Sequence, residues 1–356
     1  MIHPLSRRTS RLVILAAAAM ALPSLASATL LVYEGFNYSL SNGATMHGVS
    51  TNATGLTGNY SVLNSVSASG NASSTYLTSG LTFGPNFLST SGGAVRQSAF
   101  TSTNNVGSYS FLGAALNTGN VTGIVWSSFL VSVSTLATVA NGSSVARLNT
   151  AATGDSTNAY FITTPEASSA SFKPGVGYDG GINAYAGATN VLAGTTYLAL
   201  SQFTNVGSAL SAGTPGVATL YMFDQSSYDS WLGAGGDEAA LGSFAIFSAT
   251  DTVTTRSFVF DNSRFIQFTD VSGSGISVST TQTTIYDELR FGTTLADVTT
   301  VPEPGAMFLL IASGAGLAFY RGAFRRRGAA RSGRESSEDL PGNPPRYAAH
   351  HARCGE

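Results

Sequence analysis

A chain of 356 residues with 10% charged and 43% hydrophobic residues and 40 glycines has the make-up of short strands and many turns, not of helical bundles or coiled coils, which need periodic blocks of Glu, Lys and Leu. A single cysteine, Cys354, excludes an intrachain disulfide framework and a cysteine-based zinc site. Residues 29–300 hold six basic against fourteen acidic side chains, a charge of −8, which is the wrong sign for a nucleic-acid partner.

At the N-terminus Arg7, Arg8 and Arg11 precede the apolar stretch 12–22, and Ala26-Ser27-Ala28 supplies small residues at −3 and −1 of a cleavage site. This pattern predicts a signal peptide over residues 1–28, with Ala26 and Ala28 read by signal peptidase and the Sec translocon as export partner. Ser6-Arg7-Arg8 leaves the twin-arginine route open, although Ser10 stands where that signal prefers a large apolar residue.

From Thr29 onward the main pattern is alternation. In residues 125–134, Val125, Phe129, Val131 and Val133 share one face, while Trp126, Leu130 and serines share the other, as in a half-buried strand. Further strands are predicted over 30–33, 159–163, 197–203, 217–223, 257–261, 264–269 and 285–291, with short helices only around 227–232 and 237–241. Many strands between turn residues predict an all-β sandwich or barrel.

Candidate chemistry in the body is sparse. Glycosidases place two carboxylates on one strand face, and adjacent Asp287 and Glu288 should instead point to opposite faces, with Asp287 in register with Ile285, Leu289 and Phe291. Asp287 is therefore expected to accept structural hydrogen bonds, and Asp237-Glu238, after Gly235-Gly236, to open a helix. His47, the one histidine in the body, has no matched nucleophile in sequence and reads as a solvent-facing loop residue. No cofactor is expected. Asp155, Asp179, Asp224, Asp229, Asp261 and Asp270 leave room for calcium, but no EF-hand or other metal motif organises them, and turn carboxylates are the default. Trp231, Tyr228, Tyr178 and Tyr185 are of the kind that stack on sugar rings, though packing is the commoner use.

Read as ordered segments, Val32-Tyr33-Glu34-Gly35-Phe36-Asn37-Tyr38, Trp126-Ser127-Ser128-Phe129-Leu130-Val131, Gly175-Val176-Gly177-Tyr178, Thr196-Tyr197-Leu198-Ala199-Leu200, Ala218-Thr219-Leu220-Tyr221 and Ile285-Tyr286-Asp287-Glu288-Leu289-Arg290-Phe291-Gly292-Thr293-Thr294 resemble the LamG or concanavalin-like jelly roll. The resemblance implies two curved antiparallel sheets with first and last strands adjacent, and often carbohydrate binding.

After the body come Val301-Pro302-Glu303-Pro304, an apolar run over 305–320, then Arg321 and Arg325-Arg326-Arg327. The two prolines hold an extended, protease-accessible segment. The run, at ~24 Å if helical, predicts a short membrane span stopped by the arginines. This order is similar to that of the PEP-CTERM group of Gram-negative bacteria. What that resemblance implies is a sorting motif at Pro302, Glu303 and Pro304 read by an exosortase, with Arg321, Arg325, Arg326 and Arg327 as membrane stop charges. Residues 328–356, polar and without apolar periodicity, are expected to be disordered.

The expected organisation is thus a signal peptide (1–28), a secreted β-sandwich (29–300), a sorting signal with a single transmembrane helix (301–327) and a tail (328–356). The expected function is that of a non-enzymatic exported surface or matrix protein, held transiently in the inner membrane with its body in the periplasm, then released to the cell surface or medium in association with extracellular polysaccharide. The alternatives are a carbohydrate-binding lectin-like module and, less favoured, a carbohydrate-active enzyme.

Overall fold

The computed structural model describes residues 29–64, 74–85, 87, 92–98, 109–133, 139–149, 157–167, 171–178, 184–185, 191–255, 258–271 and 283–299. In chain order the elements are β1 (Leu30–Glu34), β2 (Leu56–Asn64), β3 (Ser74–Leu77), β4 (Ala94–Ser98), β5 (Tyr109–Leu116), β6 (Gly123–Val133), β7 (Val139–Asn149), β8 (Thr157–Ala167), β9 (Ser171–Gly177), β10 (Ala184–Tyr185), β11 (Val191–Leu192), β12 (Thr196–Val206), β13 (Gly216–Phe223), α1 (Gln225–Gly233), a 3-10 turn (Glu238–Ala240), α2 (Leu241–Phe244), β14 (Phe247–Val253), β15 (Phe265–Val271), β16 (Thr283–Gly292) and α3 (Leu295–Val298).

The strands form two antiparallel sheets. The first runs β14-β13-β12-β6-β16-β4-β3, with β1 also beside β16; the second runs β10-β9-β8-β7-β15-β5-β2, with β11 beside β9. The all-β sandwich expected from the alternation is therefore present, and first and last strands are neighbours, Tyr33 opposite Arg290. Thr196–Val206 and Gly123–Val133 pair over almost their whole lengths, from Thr196 opposite Ser132 to Val206 opposite Gly123. Period-two side-chain alternation along such strands puts one set of residues between the sheets. From β6 that set is Val125, Phe129, Val131 and Val133, packed in one core with Leu112, Ala146, Leu148, Ile266 and Phe268 of the second sheet.

The other face of β6 departs from expectation. Trp126 and Leu130 are buried too, in a second cluster with Leu198, Leu200, Phe223, Phe83, Phe87, Tyr228, Trp231, Leu241, Leu295 and Val298. Short helices together with Phe83 and Phe87 cover this outer face, so β6 is buried on both faces from Val125 to Val133 and not half-buried. Of the segment 257–261, expected as a strand, the described residues 258–261 join no ladder: Phe260 makes an isolated bridge to Val121, and the Phe258 carbonyl accepts the Gly207 N–H at 2.8 Å.

The cap is held by its own polar contacts. Asp224 caps α1 by accepting the Ser227 N–H at 2.8 Å, and burial of that carboxyl is outweighed by the serine hydrogen bonds, which keep it below the usual carboxylate range. The Trp231 indole N–H donates to the Asp237 carbonyl at 2.9 Å, which satisfies a buried donor and fixes the 3-10 turn. At the end of the last strand Thr294 and Asp297 form a reciprocal capping box on α3.

The expectation of a single C-terminal transmembrane helix, and with it of a transiently membrane-anchored body, is corrected: among the described residues no helix is long and apolar enough to cross a membrane. The apolar run 305–320 on which that expectation fell lies outside the described residues, and the chain divides between Val301 and Pro302.

The packing predicts that Trp231→Ala, which removes a fully buried indole, lowers stability by about 3–5 kcal/mol in urea unfolding followed by circular dichroism. A loss below about 1 kcal/mol would show that the helices do not seal the outer face.

Candidate functional site

The residues singled out from sequence are mostly consumed by the fold. Trp231, Tyr228 and Tyr178 are at most 1% exposed, so none of the three presents a face to a sugar. Tyr178 instead spans the sandwich: its N–H donates to Asp251 at 2.8 Å and its hydroxyl to the Thr204 carbonyl at 2.8 Å. Asp261 closes a turn by accepting the Ser263 N–H at 2.8 Å. His47 is exposed, as expected. Among the described residues no group of three or more His, Cys, Asp or Glu is arranged to hold a metal ion. Asp155 and Asp179 lie outside the described residues, as do Ala26, Ala28, Pro302, Glu303, Pro304, Arg321, Arg325, Arg326 and Arg327; Asp270 and Tyr185 lie on β15 and β10.

A charged cluster forms where β16 changes partners. Its first part, Thr283 to Tyr286, pairs with β4, and its last part, Leu289 to Gly292, pairs with β1. Between them the register against β6 slips from Asp287 opposite Leu130 to Arg290 opposite Ser128, and Glu288 takes a left-handed backbone with φ 54°. This is a β-bulge. It overturns the expected register of Asp287 with Leu289 and Phe291: Tyr286, Leu289 and Phe291 join the inter-sheet core, whereas Asp287 meets the cover, accepting the Leu81 N–H at 2.7 Å. The structural hydrogen bonding expected of Asp287 is found, completed by the Glu288 N–H at 2.8 Å. A Cβ at Gly80 would fall 2.5 Å from the Asp287 Oδ2, so only glycine lets that backbone come so close.

Arg290 donates from Nη2 to Glu288 at 2.6 Å and lies 5.0 Å above the Tyr33 ring and 5.3 Å from that of Phe87, favourable geometry for a desolvated cation. On the neighbouring strand Glu34 accepts the Phe36 N–H at 2.6 Å and the hydroxyls of Tyr38 and Tyr60 at 2.7 and 2.6 Å. Burial pushes the Glu34 carboxyl up despite these bonds, and the Glu288 charge adds to the rise. Burial, with the same Glu288 charge, pushes Asp287 up to about 8. Asp287 and Glu288 are 1% and 0% exposed. A catalytic carboxylate pair must flank a substrate bond; this pair flanks packed side chains.

The open surface lies elsewhere on the same sheet. Among the described residues the cover meets β13 at Tyr221 and Phe223; elsewhere on β13, Ala218, Leu220 and Met222 turn into the core, and Val217 and Thr219 turn outward, half-buried like Tyr221. On β14 the outward set is Ser248, Thr250 and Thr252, all exposed. Registration aligns Gln202, Thr219 and Thr250 in one row, with Val217 opposite Thr252 and Tyr221 opposite Ser248 on either side. The Thr219 and Thr250 hydroxyls are 3.3 Å apart. At the edge of the cover Gln202 donates from Nε2 to Glu238 at 2.8 Å. The Tyr221 hydroxyl is raised above its ordinary value, first by partial burial and then by the Glu238 charge. This face offers hydroxyls, one amide and one aromatic ring around a single carboxylate. Sequence reasoning missed it; the signal was the alternating Ser248-x-Thr250-x-Thr252 pattern.

No family profile and no curated protein matches the sequence. Among solved structures the chain is similar to a protein of unknown function from Shewanella oneidensis MR-1 (11% identity, 82% of this chain and 96% of that one, TM-score 0.35). It is also similar to the basic winged bean lectin solved with Tn-antigen (9% identity, 71% and 96%, TM-score 0.33) and to the binding domain of botulinum neurotoxin serotype C1 (7% identity, 70% and 48%, TM-score 0.33). The match spans about half the length of the toxin domain. At these scores the sandwich assignment rests on the strand pairing described above.

Asp287 sets a pH dependence of stability. Its folded value, about 8, lies above its ordinary 3.8, so between these values the folded state holds a proton that the unfolded state has lost. Stability is then greatest in acid and falls as pH rises through about 8, and the upward shift of Glu34 acts in the same direction. Urea midpoints at pH 5 and pH 8.5 should therefore differ in the parent and differ less in Asp287→Asn. An unchanged difference in the variant would contradict the assignment.

Proposed function

We propose that the chain is a non-catalytic carbohydrate-binding module whose open face, formed by β12, β13 and β14, takes a neutral polysaccharide. The observation that carries this reading is the row Gln202, Thr219 and Thr250 beside the half-buried Tyr221 ring. A sugar ring presents hydroxyls at its edge and C–H groups on its faces. Threonine hydroxyls and a carboxamide both donate and accept hydrogen bonds, and an aromatic ring packs against the C–H face. The ring packs against the cover, so little side-chain freedom is lost on binding. Catalysis is disfavoured because the adjacent carboxylates Asp287 and Glu288 are buried and already engaged.

The full-length protein should be retarded in native gels containing at least one polymer from a neutral panel of dextran, mannan, galactan and xylan, with no release of reducing ends. Tyr221→Ala should weaken that retardation at least tenfold, a loss of ~1.4 kcal/mol, with an unchanged circular dichroism spectrum. Turnover of the polymer, or retention unaffected by Tyr221→Ala, would contradict the reading.

The reading includes processing partners: a signal peptidase acting after Ala28, an exosortase reading Pro302-Glu303-Pro304, and extracellular polysaccharide as the bound polymer. Support for the first is the sequence pattern, small residues Ala26-Ser27-Ala28 after the basic and apolar stretch. The second is supported by the sequence motif and by the division of the chain at Pro302. Intact-mass measurement of the protein recovered from its native host should give a chain beginning at Thr29, with the C-terminal segment removed in the parent and retained in Glu303→Ala. Equal masses for parent and variant would overturn the exosortase assignment.

A further inference from the structure

We infer that Glu238 is the specificity-determining residue of the open face and makes it reject anionic polysaccharides while admitting neutral ones. The inference rests on the proposed carbohydrate-binding reading and adds to it the residue that selects the polymer class.

Glu238 begins the 3-10 turn and is exposed, yet it is not loosely placed. The turn is tied down by the indole of the buried Trp231, which donates to the Asp237 carbonyl at 2.9 Å. The carboxylate itself accepts from the Gln202 Nε2 at 2.8 Å. Gln202 is the β12 member of the row that continues through Thr219 to Thr250, so the carboxylate ends the line of groups that a bound sugar would touch. Asp237, the neighbouring residue, is also exposed and has the same sign. Among the described residues the face carries no lysine or arginine: Arg147 and Arg290 are buried, Arg96 lies on β4, and Arg264 donates to the Val259 carbonyl in the loop before β15.

A ligand carboxylate or sulfate ~4 Å from Glu238 meets a repulsion of ~1 kcal/mol in water and more where solvent is partly excluded. That is about a fivefold penalty for each anionic group held there. It should fade with salt, because the screening length is ~10 Å at 0.1 M. A neutral sugar meets no such penalty and can donate a hydroxyl to the carboxylate. A charge-assisted hydrogen bond of this kind is stronger than one between neutral groups. The arrangement therefore discriminates by charge as well as by shape.

The test uses the full-length protein, dextran, mannan, galactan and xylan, and the carboxymethylated form of each, in affinity gels at 20 mM and 500 mM salt. The parent should be retarded by a neutral polymer and at least fivefold less by its carboxymethylated form at low salt, with the gap narrowing at high salt. Glu238→Gln keeps an oxygen that can accept from Gln202, and should raise the ratio of carboxymethylated to neutral polymer retention about fivefold at low salt, even as loss of the charge-assisted hydrogen bond weakens retention on the neutral polymer. If the parent discriminates and Glu238→Gln discriminates equally, the role of Glu238 is overturned while the binding face stands. If no neutral polymer retards the parent, the binding face itself falls, and the inference with it.

Discussion

The bulge in β16 is the constraint on which the rest of the first sheet depends. One strand must serve two partners along the same edge, β4 and then β1, and the extra residue at the junction absorbs the mismatch. Glu288 holds φ 54°, a conformation that costs a non-glycine residue about 1–2 kcal/mol. The cost is offset locally by the Glu288 N–H donating to Asp287 and by the ion pair with Arg290. The slip in register has two effects. It sends Leu289 and Phe291 into the inter-sheet core, and it turns Asp287 outward to receive Leu81, so the same irregularity closes the sandwich and anchors its cover.

That cover divides the outer face of the sheet in two. Over β6 and the adjoining part of β12 lie Phe83, Phe87, Trp231, Leu295 and Val298, and every carboxylate near the bulge is spent on holding the chain together. Beyond Tyr221 and Phe223, where the cover meets β13, the outward residues of β12, β13 and β14 are Gln, Thr and Ser, half-buried or exposed. Beneath them Asp251 is turned inward to the Tyr178 N–H, which keeps its charge off the open surface. A sheet with one half sealed by aromatic side chains and the other finished in hydroxyls is stiff, wettable and almost uncharged at its exposed part, with Glu238 marking the border between the halves.

Much of the first layer of this organisation was legible in the residues. The alternation in β6 separated Val125, Phe129, Val131 and Val133 from Trp126 and Leu130, and the two sets occupy different clusters. The short helix expected around 227–232 is found within Gln225–Gly233, with Asp224, read from sequence as a turn carboxylate, as its cap. What periodicity does not carry is distant cover: Trp126 is buried by residues such as Phe87 and Leu295, far away in the chain. Nor does anything about Asp287-Glu288 mark a left-handed residue, because glutamate has no preference for that conformation; the bulge follows from partners that only the folded sheet brings together. The open face escaped notice for a third reason. Its Ser248-x-Thr250-x-Thr252 alternation is ordinary in a chain whose strands and loops are everywhere rich in serine and threonine, and only strand register sets it beside Thr219 and Gln202.

Ligand recognition is proposed for the half of the first sheet formed by β12, β13 and β14. The most direct measurement is a methyl nuclear magnetic resonance titration of the full-length protein, labelled at threonine and valine, with the neutral polymer that retards it most. Thr219, Thr250 and Thr252 should shift progressively and together, while Val125 and Val131 between the sheets stay fixed. Shifts confined to methyl groups away from β12, β13 and β14, with Thr219 and Thr250 unmoved at saturation, would contradict it.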